Sequence, residues 1–192
     1  MSATLAPFGL RPAFHPSGLD RAQALAGGIA SGYSSDILKG QAVKYVAATG
    51  NIQPVTATTD ALSGAFAGVE WTDTTGRRRV SNYWPANTAY QTGSCVAYFY
   101  NDPSIVYEIQ ADGTVAQTTL GTDANLSNFA AGSNVTGLSQ ATLNATTLAT
   151  GVQGQVQILD IAPYPGNDWS DAYPILRVQI ARRQIAAVVP GI

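Results

Sequence analysis

Cys95-Val96-Ala97-Tyr98-Phe99-Tyr100-Asn101-Asp102-Pro103-Ser104-Ile105-Val106-Tyr107-Glu108-Ile109 holds two short runs of β-branched and aromatic residues around Asn101-Asp102-Pro103. Runs of this length and composition, bounded by turn residues, read as β-strands. Val96 to Tyr100 is the first strand. Ile105 to Ile109, ended by Asp112-Gly113, is its expected hairpin partner.

The same signal recurs on both sides. Ala42 to Val46 runs into the turn pair Gly50-Asn51, and Ala65 to Trp71 precedes the loop Thr72-Asp73-Thr74-Thr75-Gly76. Val80 to Trp84 is closed by Pro85, and the alternating runs Gln155 to Ile161 and Ile175 to Ile180 come last. Many short strands with turns between them predict a mainly β fold, a small antiparallel barrel or sandwich. Helices are expected only as short pieces, at Asp20 to Leu25 before Gly27-Gly28 and from Thr122 towards Phe129.

Two segments break the rhythm. Residues 1–19 carry Pro7, Pro12 and Pro16 together with Phe8, Leu10 and Phe14. Proline fixes φ and removes a donor, so the stretch reads as an extended arm ahead of a single β-rich domain over 20–192. Its apolar side chains need cover, either from its own domain or from a neighbouring subunit. The second segment is a Thr/Ser/Asn/Gly-rich excursion over about 113–155. Between Gly113 and Leu159 its only charged side chain is Asp123, which fits an ordered, loop-rich excursion better than disorder.

Charged residues make up 11% of the chain, against about 25% in ordinary globular domains. A surface that poor in charge suits packing against other protein. The net charge of −2 argues against a nucleic-acid partner, which would require a broad basic face. No stretch approaches the roughly 18 apolar residues of a membrane helix, and the start lacks the pattern of a signal peptide. No membrane partner is expected, and a cytoplasm-like compartment is.

Catalytic groups are sparse. His15 is the only histidine and sits in the arm, where fixed geometry for acid–base work is hard to obtain. Cys95 is the only cysteine and reads as an inert, buried thiol at a strand. The only glutamates, Glu70 and Glu108, would serve a glycoside hydrolase if brought together, but each also reads as a strand residue facing solvent or paired with arginine. Asp160, Asp168 and Asp171 lack calcium-loop spacing. No cofactor, metal or catalytic residue is expected. The aromatics Trp71, Tyr83, Trp84, Tyr90, Tyr98, Tyr100 and Tyr107 would fill a core, anchor a subunit interface, or stack sugars if exposed on one face. Arg77-Arg78-Arg79 is read as a turn whose guanidiniums either pair with a neighbour's carboxylates or stand in solvent.

Several blocks together resemble a known family. Ala6-Pro7-Phe8-Gly9-Leu10-Arg11-Pro12 is similar to the opening of small structural proteins of tailed phages and prophages. The run from Gly68-Val69-Glu70-Trp71 through Arg77-Arg78-Arg79 to Tyr83-Trp84-Pro85-Ala86-Asn87 resembles their central signature. Asp102-Pro103 with Ile105 to Gln110, and Asp160 to Asp171 with Asn167-Asp168-Trp169, complete the order. The chain departs from the pattern at its end, where Ile185-Ala186-Ala187-Val188-Val189-Pro190-Gly191-Ile192 adds an apolar tail.

The resemblance implies a non-catalytic capsid cement or decoration protein. Its partners would be the major capsid protein and itself, as a homotrimer, on the exterior of a head assembled in the host cytoplasm. The expected interface residues are Pro7, Phe8, Leu10, Arg11, Pro12, Phe14, Arg77, Arg78, Arg79 and Trp84. The alternatives are a β-sandwich glycan-binding or adhesin module on the virion, and a glycoside hydrolase using Glu70 and Glu108.

Overall fold

The structure, a computed structural model, describes residues 4–17, 24–148 and 153–184. The strands in chain order are β1 (Arg11–Phe14), β2 (Ala24–Gly27), β3 (Ala42–Tyr45), β4 (Ile52–Pro54), β5 (Gly64–Thr72), β6 (Arg78–Ser81), β7 (Val96–Tyr100) and β8 (Val106–Gln110). The excursion adds β9 (Asp123–Ala124), β10 (Leu126–Ser127), β11 (Gly132–Ser133), β12 (Leu138–Ser139) and β13 (Thr142–Leu143), and the chain closes on β14 (Val156–Ile161) and β15 (Ile175–Ile180). A five-stranded sheet has the order β1-β8-β15-β14-β9, and a six-stranded sheet the order β2-β7-β5-β3-β4 with β6 also paired to β5. The sheets are antiparallel and open, a sandwich-like mainly β fold with no closed barrel among the described residues.

The expected hairpin of β7 and β8 does not form. β7 lies between β2 and β5, whereas β8 lies between β1 and β15 in the other sheet. The reason is burial on every side. All five residues of β8 are buried, so it needs its own two neighbours and cover on both faces. β7 sends Ala97 and Phe99 into one core, while β8 sends Tyr107 and Ile109 into another. Asn101 to Ser104 is therefore a crossover between sheets, and the Tyr107 hydroxyl donates to the Tyr100 carbonyl across it at 2.9 Å.

Both cores follow from strand alternation. Leu176, Val178 and Ile180 of β15 join Tyr107 and Ile109 in the first core, leaving Ile175, Arg177 and Gln179 on the opposite face. Phe66, Val69 and Trp71 of β5 join Phe99, Ile37 and Trp84 in the second. Trp84 stands edge-to-face against Trp71 and Tyr90, with centroids 5.4 and 5.9 Å away.

Several local readings change. The excursion is a cover for the first core: its spaced apolar residues Val115, Leu126 and Leu143 are all fully buried. The helix expected from Thr122 is replaced by β9 and β10, since Leu126 and Ala124 are drawn into that core, and the only described helix there is the single 3₁₀ turn Gln117–Thr119. At the other expected helix, Ala24 and Leu25 lie in β2, paired with Tyr100 and Phe99 of β7, and residues 18–23 lie outside the described part. Arg78 and Arg79 belong to strand β6, so only Arg77 remains at the turn, and Tyr83 and Trp84 lie beyond the strand. The apolar tail 185–192 is outside the described residues. Among the described residues, no helix is long and apolar enough to cross a membrane.

Candidate interface edges

Two of the strands at sheet edges carry most of the expected interface residues. β1 is the rim of the five-stranded sheet, and β6 pairs only with β5.

The β1 edge is seated by its own domain. Gly9 and Gly40 hold left-handed φ of 72° and 82°, and a Cβ on Gly9 would lie 2.4 Å from the Gly40 carbonyl oxygen. That close approach lets the Leu10 amide donate to the Gly40 carbonyl at 2.7 Å and drops the Leu10 side chain into the first core at 0% exposure. Ahead of it, the Gln110 side chain acts as a surrogate strand: its Oε1 accepts from the Ala6 amide at 2.8 Å and its Nε2 donates to the Thr4 carbonyl at 3.0 Å. β1 then pairs with β8 in the register Arg11 to Glu108 and Pro12 to Tyr107. Pro12 is tolerated because the strand is an edge.

Above this seat is a charged row. Glu108 is 5% exposed. It accepts from Arg11 Nη2 at 2.6 Å and from the Tyr164 hydroxyl at 2.7 Å, with Arg177 Nε at 3.9 Å. Arg11 also lies over the Phe8 ring at 4.4 Å, and Arg177 over Phe14 at 5.1 Å. Phe14 nevertheless remains 42% exposed on the rim.

The β6 edge stands further out. In the β5–β6 hairpin, Glu70 faces Val80 and Trp71 faces Arg79. Arg78 hydrogen-bonds to Glu70, which also accepts from the Tyr98 hydroxyl at 3.1 Å, and Arg79 Nε donates to Asp73 at 3.0 Å. Asp73 organises the turn as well, accepting from the Thr75 hydroxyl and amide and from the Arg77 amide. Hydrogen bonds from Thr75 and then the Arg77 amide hold its carboxyl well below the usual range, with Arg79 adding to them. Hydrogen bonds from Arg78 and then Tyr98 lower Glu70 likewise. Val80 is 75% exposed between these groups.

Of the expected interface residues, Phe8, Arg11, Pro12 and Phe14 meet at the first edge and Arg77, Arg78 and Arg79 at the second, while Pro7 is half-buried in the arm. Two do not belong on an interface. Leu10 and Trp84 are completely buried, each consumed by one of the cores. The expected partners of the arginines also change, since Arg78 and Arg79 are paired with carboxylates of their own hairpin. Sequence reasoning missed Gln110, Tyr164 and Arg177. The signal available was a strand whose face Val106, Glu108, Gln110 alternates with the core face Tyr107, Ile109, and so required polar cover from elsewhere.

The remaining candidates have local partners. Glu70 and Glu108 lie in different sheets, each held by its own arginine and tyrosine. His15 Nδ1 accepts from the Ser17 amide at 3.2 Å and lies 2.7 Å from its hydroxyl, with Nε2 3.3 Å from Asp102. The serine contact is a two-residue turn, and the aspartate contact ties the arm to the crossover. Cys95 is half-buried, and desolvation raises its thiol pKa. Among the described residues, no three His, Cys, Asp or Glu side chains gather as a metal site. No protein family, curated protein or solved structure matches the chain.

Proposed function

We propose that the chain is a non-catalytic virion structural protein that docks on the exterior of a tailed-phage capsid and braces neighbouring capsomers. Its partners are the major capsid protein and further copies of itself, arranged as a homotrimer, on heads assembled in the host cytoplasm.

The observation that carries this reading is the pair of open strand edges bearing exposed apolar side chains beside arginines. An open edge offers unpaired backbone groups, and although short length, Pro12 and the arginines blunt these two edges against indiscriminate pairing, each still presents an apolar side chain. Here β1 presents Phe14 and β6 presents Val80. In an assembly the same groups pair and desolvate, and the arginines fix register against acidic surfaces. The low charge of the chain fits a surface spent on contacts. Burial of about 25 cal/mol per Å² over several copies gives firm attachment without high charge density.

Mixing purified protein with undecorated heads tests the proposal. Saturable co-sedimentation, together with a higher temperature of head rupture, is the expected result. Heads that neither bind the protein nor gain heat resistance would overturn it.

A further inference from the structure

A cleft of about 440 Å³, with no residue of β1 or β6 in its lining, is walled by residues within 33–56 on one side and 129–134 on the other. Its size falls within the roughly 300–1,000 Å³ of small-molecule sites. Its walls are tied together before any ligand arrives. Gln41, nearly buried, accepts from the Leu38 amide at 2.9 Å and donates to the Phe129 carbonyl at 2.7 Å. The β11–β12 hairpin is pinned at Lys39, whose amide donates to the Gly137 carbonyl and whose carbonyl accepts from the Ser139 amide, both at 2.9 Å. Such a cleft loses little entropy on binding.

The lining has a distinctive chemistry. Tyr33 and Phe129, both half-buried and each packed in part against one of the two cores, line its two sides. The polar residues Asp36, Asn134, Ser35 and Ser133 also line it. Asp36 accepts from the Ala86 amide through Oδ1 at 2.7 Å, and its Oδ2 has no donor among the described residues. Burial raises the Tyr33 pKa, so its hydroxyl stays a donor across the physiological range.

No Lys or Arg lines the cleft, and one carboxylate does, so an anion such as phosphate is repelled. A purely apolar ligand would strand the polar groups without partners. Hydroxyls that both donate and accept, on a body with an apolar C–H face, satisfy every group present.

We propose that this cleft binds a neutral saccharide, a mono- or disaccharide unit stacked between Tyr33 and Phe129 and hydrogen-bonded by Asp36 and Asn134. The site shares no lining residue with the docking edges. A decorating subunit that kept it open would give a virion many weak sugar contacts, which multivalency strengthens.

Saturation-transfer NMR and calorimetry with glucose, galactose, mannose, N-acetylglucosamine, maltose, cellobiose and lactose test the site, with inorganic phosphate as the anionic control. Saturable binding of at least one sugar is expected, with no competition from phosphate. Tyr33→Ala weakens it about tenfold or more, the scale of one lost anchor contact. Asn134→Ala, at an exposed position that leaves the cores intact, weakens it severalfold without moving the melting temperature, and decides the matter if Tyr33→Ala does not fold. Val80→Glu leaves sugar binding unchanged. Failure of every sugar to bind, binding indifferent to Asn134→Ala, or displacement by phosphate would each overturn the proposal.

Discussion

At the β1 edge, Arg11 reaches a glutamate shielded from water, beside a leucine sunk in the first core and a glutamine that holds the chain ahead of it. At the β6 edge, Arg78 and Arg79 reach carboxylates on an exposed hairpin, and the nearest apolar side chain, Val80, points into solvent. The parts are alike: a short edge strand, arginines, carboxylates and an exposed apolar residue. What differs is the layer beneath. Removing charge from a desolvated group leaves its partners uncompensated, whereas an exposed pair exchanges one solvated arrangement for another. The arm is therefore part of the fold as well as an edge. The hairpin is available for contact at little cost to stability.

The largest expected effect comes from the arm. Leu10→Ala should cost about 2–5 kcal/mol in chemical denaturation, the range for a fully buried leucine. A loss under about 0.5 kcal/mol would place the arm outside the core. Glu108→Gln keeps the shape but removes the charge that Arg11, Arg177 and Tyr164 converge on. It should cost about 1.5–3 kcal/mol, the range for hydrogen bonds to a charged group.

The hairpin should respond to pH rather than to denaturant. Asp73 and Glu70 are both depressed in the folded state, Asp73 by Thr75 first and Glu70 by Arg78 first. Their stabilisation is therefore complete above the unfolded carboxylate values, about pH 4, and fades as pH falls through the lower folded values. The melting temperature of Asp73→Asn should lie slightly below that of the native chain at neutral pH, and the gap should close in acid. A gap that persists unchanged under acid would place the Asp73 effect elsewhere.

The comparison also shows what a sequence can and cannot convey. Strands β5, β8, β14 and β15 were legible because their apolar residues alternate or run together, and such patterns are local. The partner of each strand was not. β7 and β8 look like a hairpin in isolation, and only the two cores decide that they part into different sheets. β9 to β13 are too short to leave a period, so their existence depends on where Leu126 and Leu143 are buried. Arg77, Arg78 and Arg79 stood out as candidate contacts, since a basic run in a poorly charged chain is visible in any reading. Their carboxylate partners appear only once the β5–β6 register is set. Trp84 was misplaced because composition cannot separate an aromatic that anchors an interface from one that fills a core. The cleft between Tyr33 and Phe129 left no sequence signal, because its walls are far apart along the chain.

The most direct test of the account is attachment of Val80→Glu to undecorated heads, measured by co-sedimentation beside the native chain. Val80 is exposed but faces Glu70 across the hairpin, so the isolated variant should stay folded and lose no more than about 1 kcal/mol, the scale of like charges paired across strands. It should nevertheless lose attachment, because the added carboxylate would be desolvated opposite Glu70 while Arg78 and Arg79 are already paired. Attachment of the folded variant with native affinity, at both low and high salt, would contradict the claim that this edge docks on the capsid.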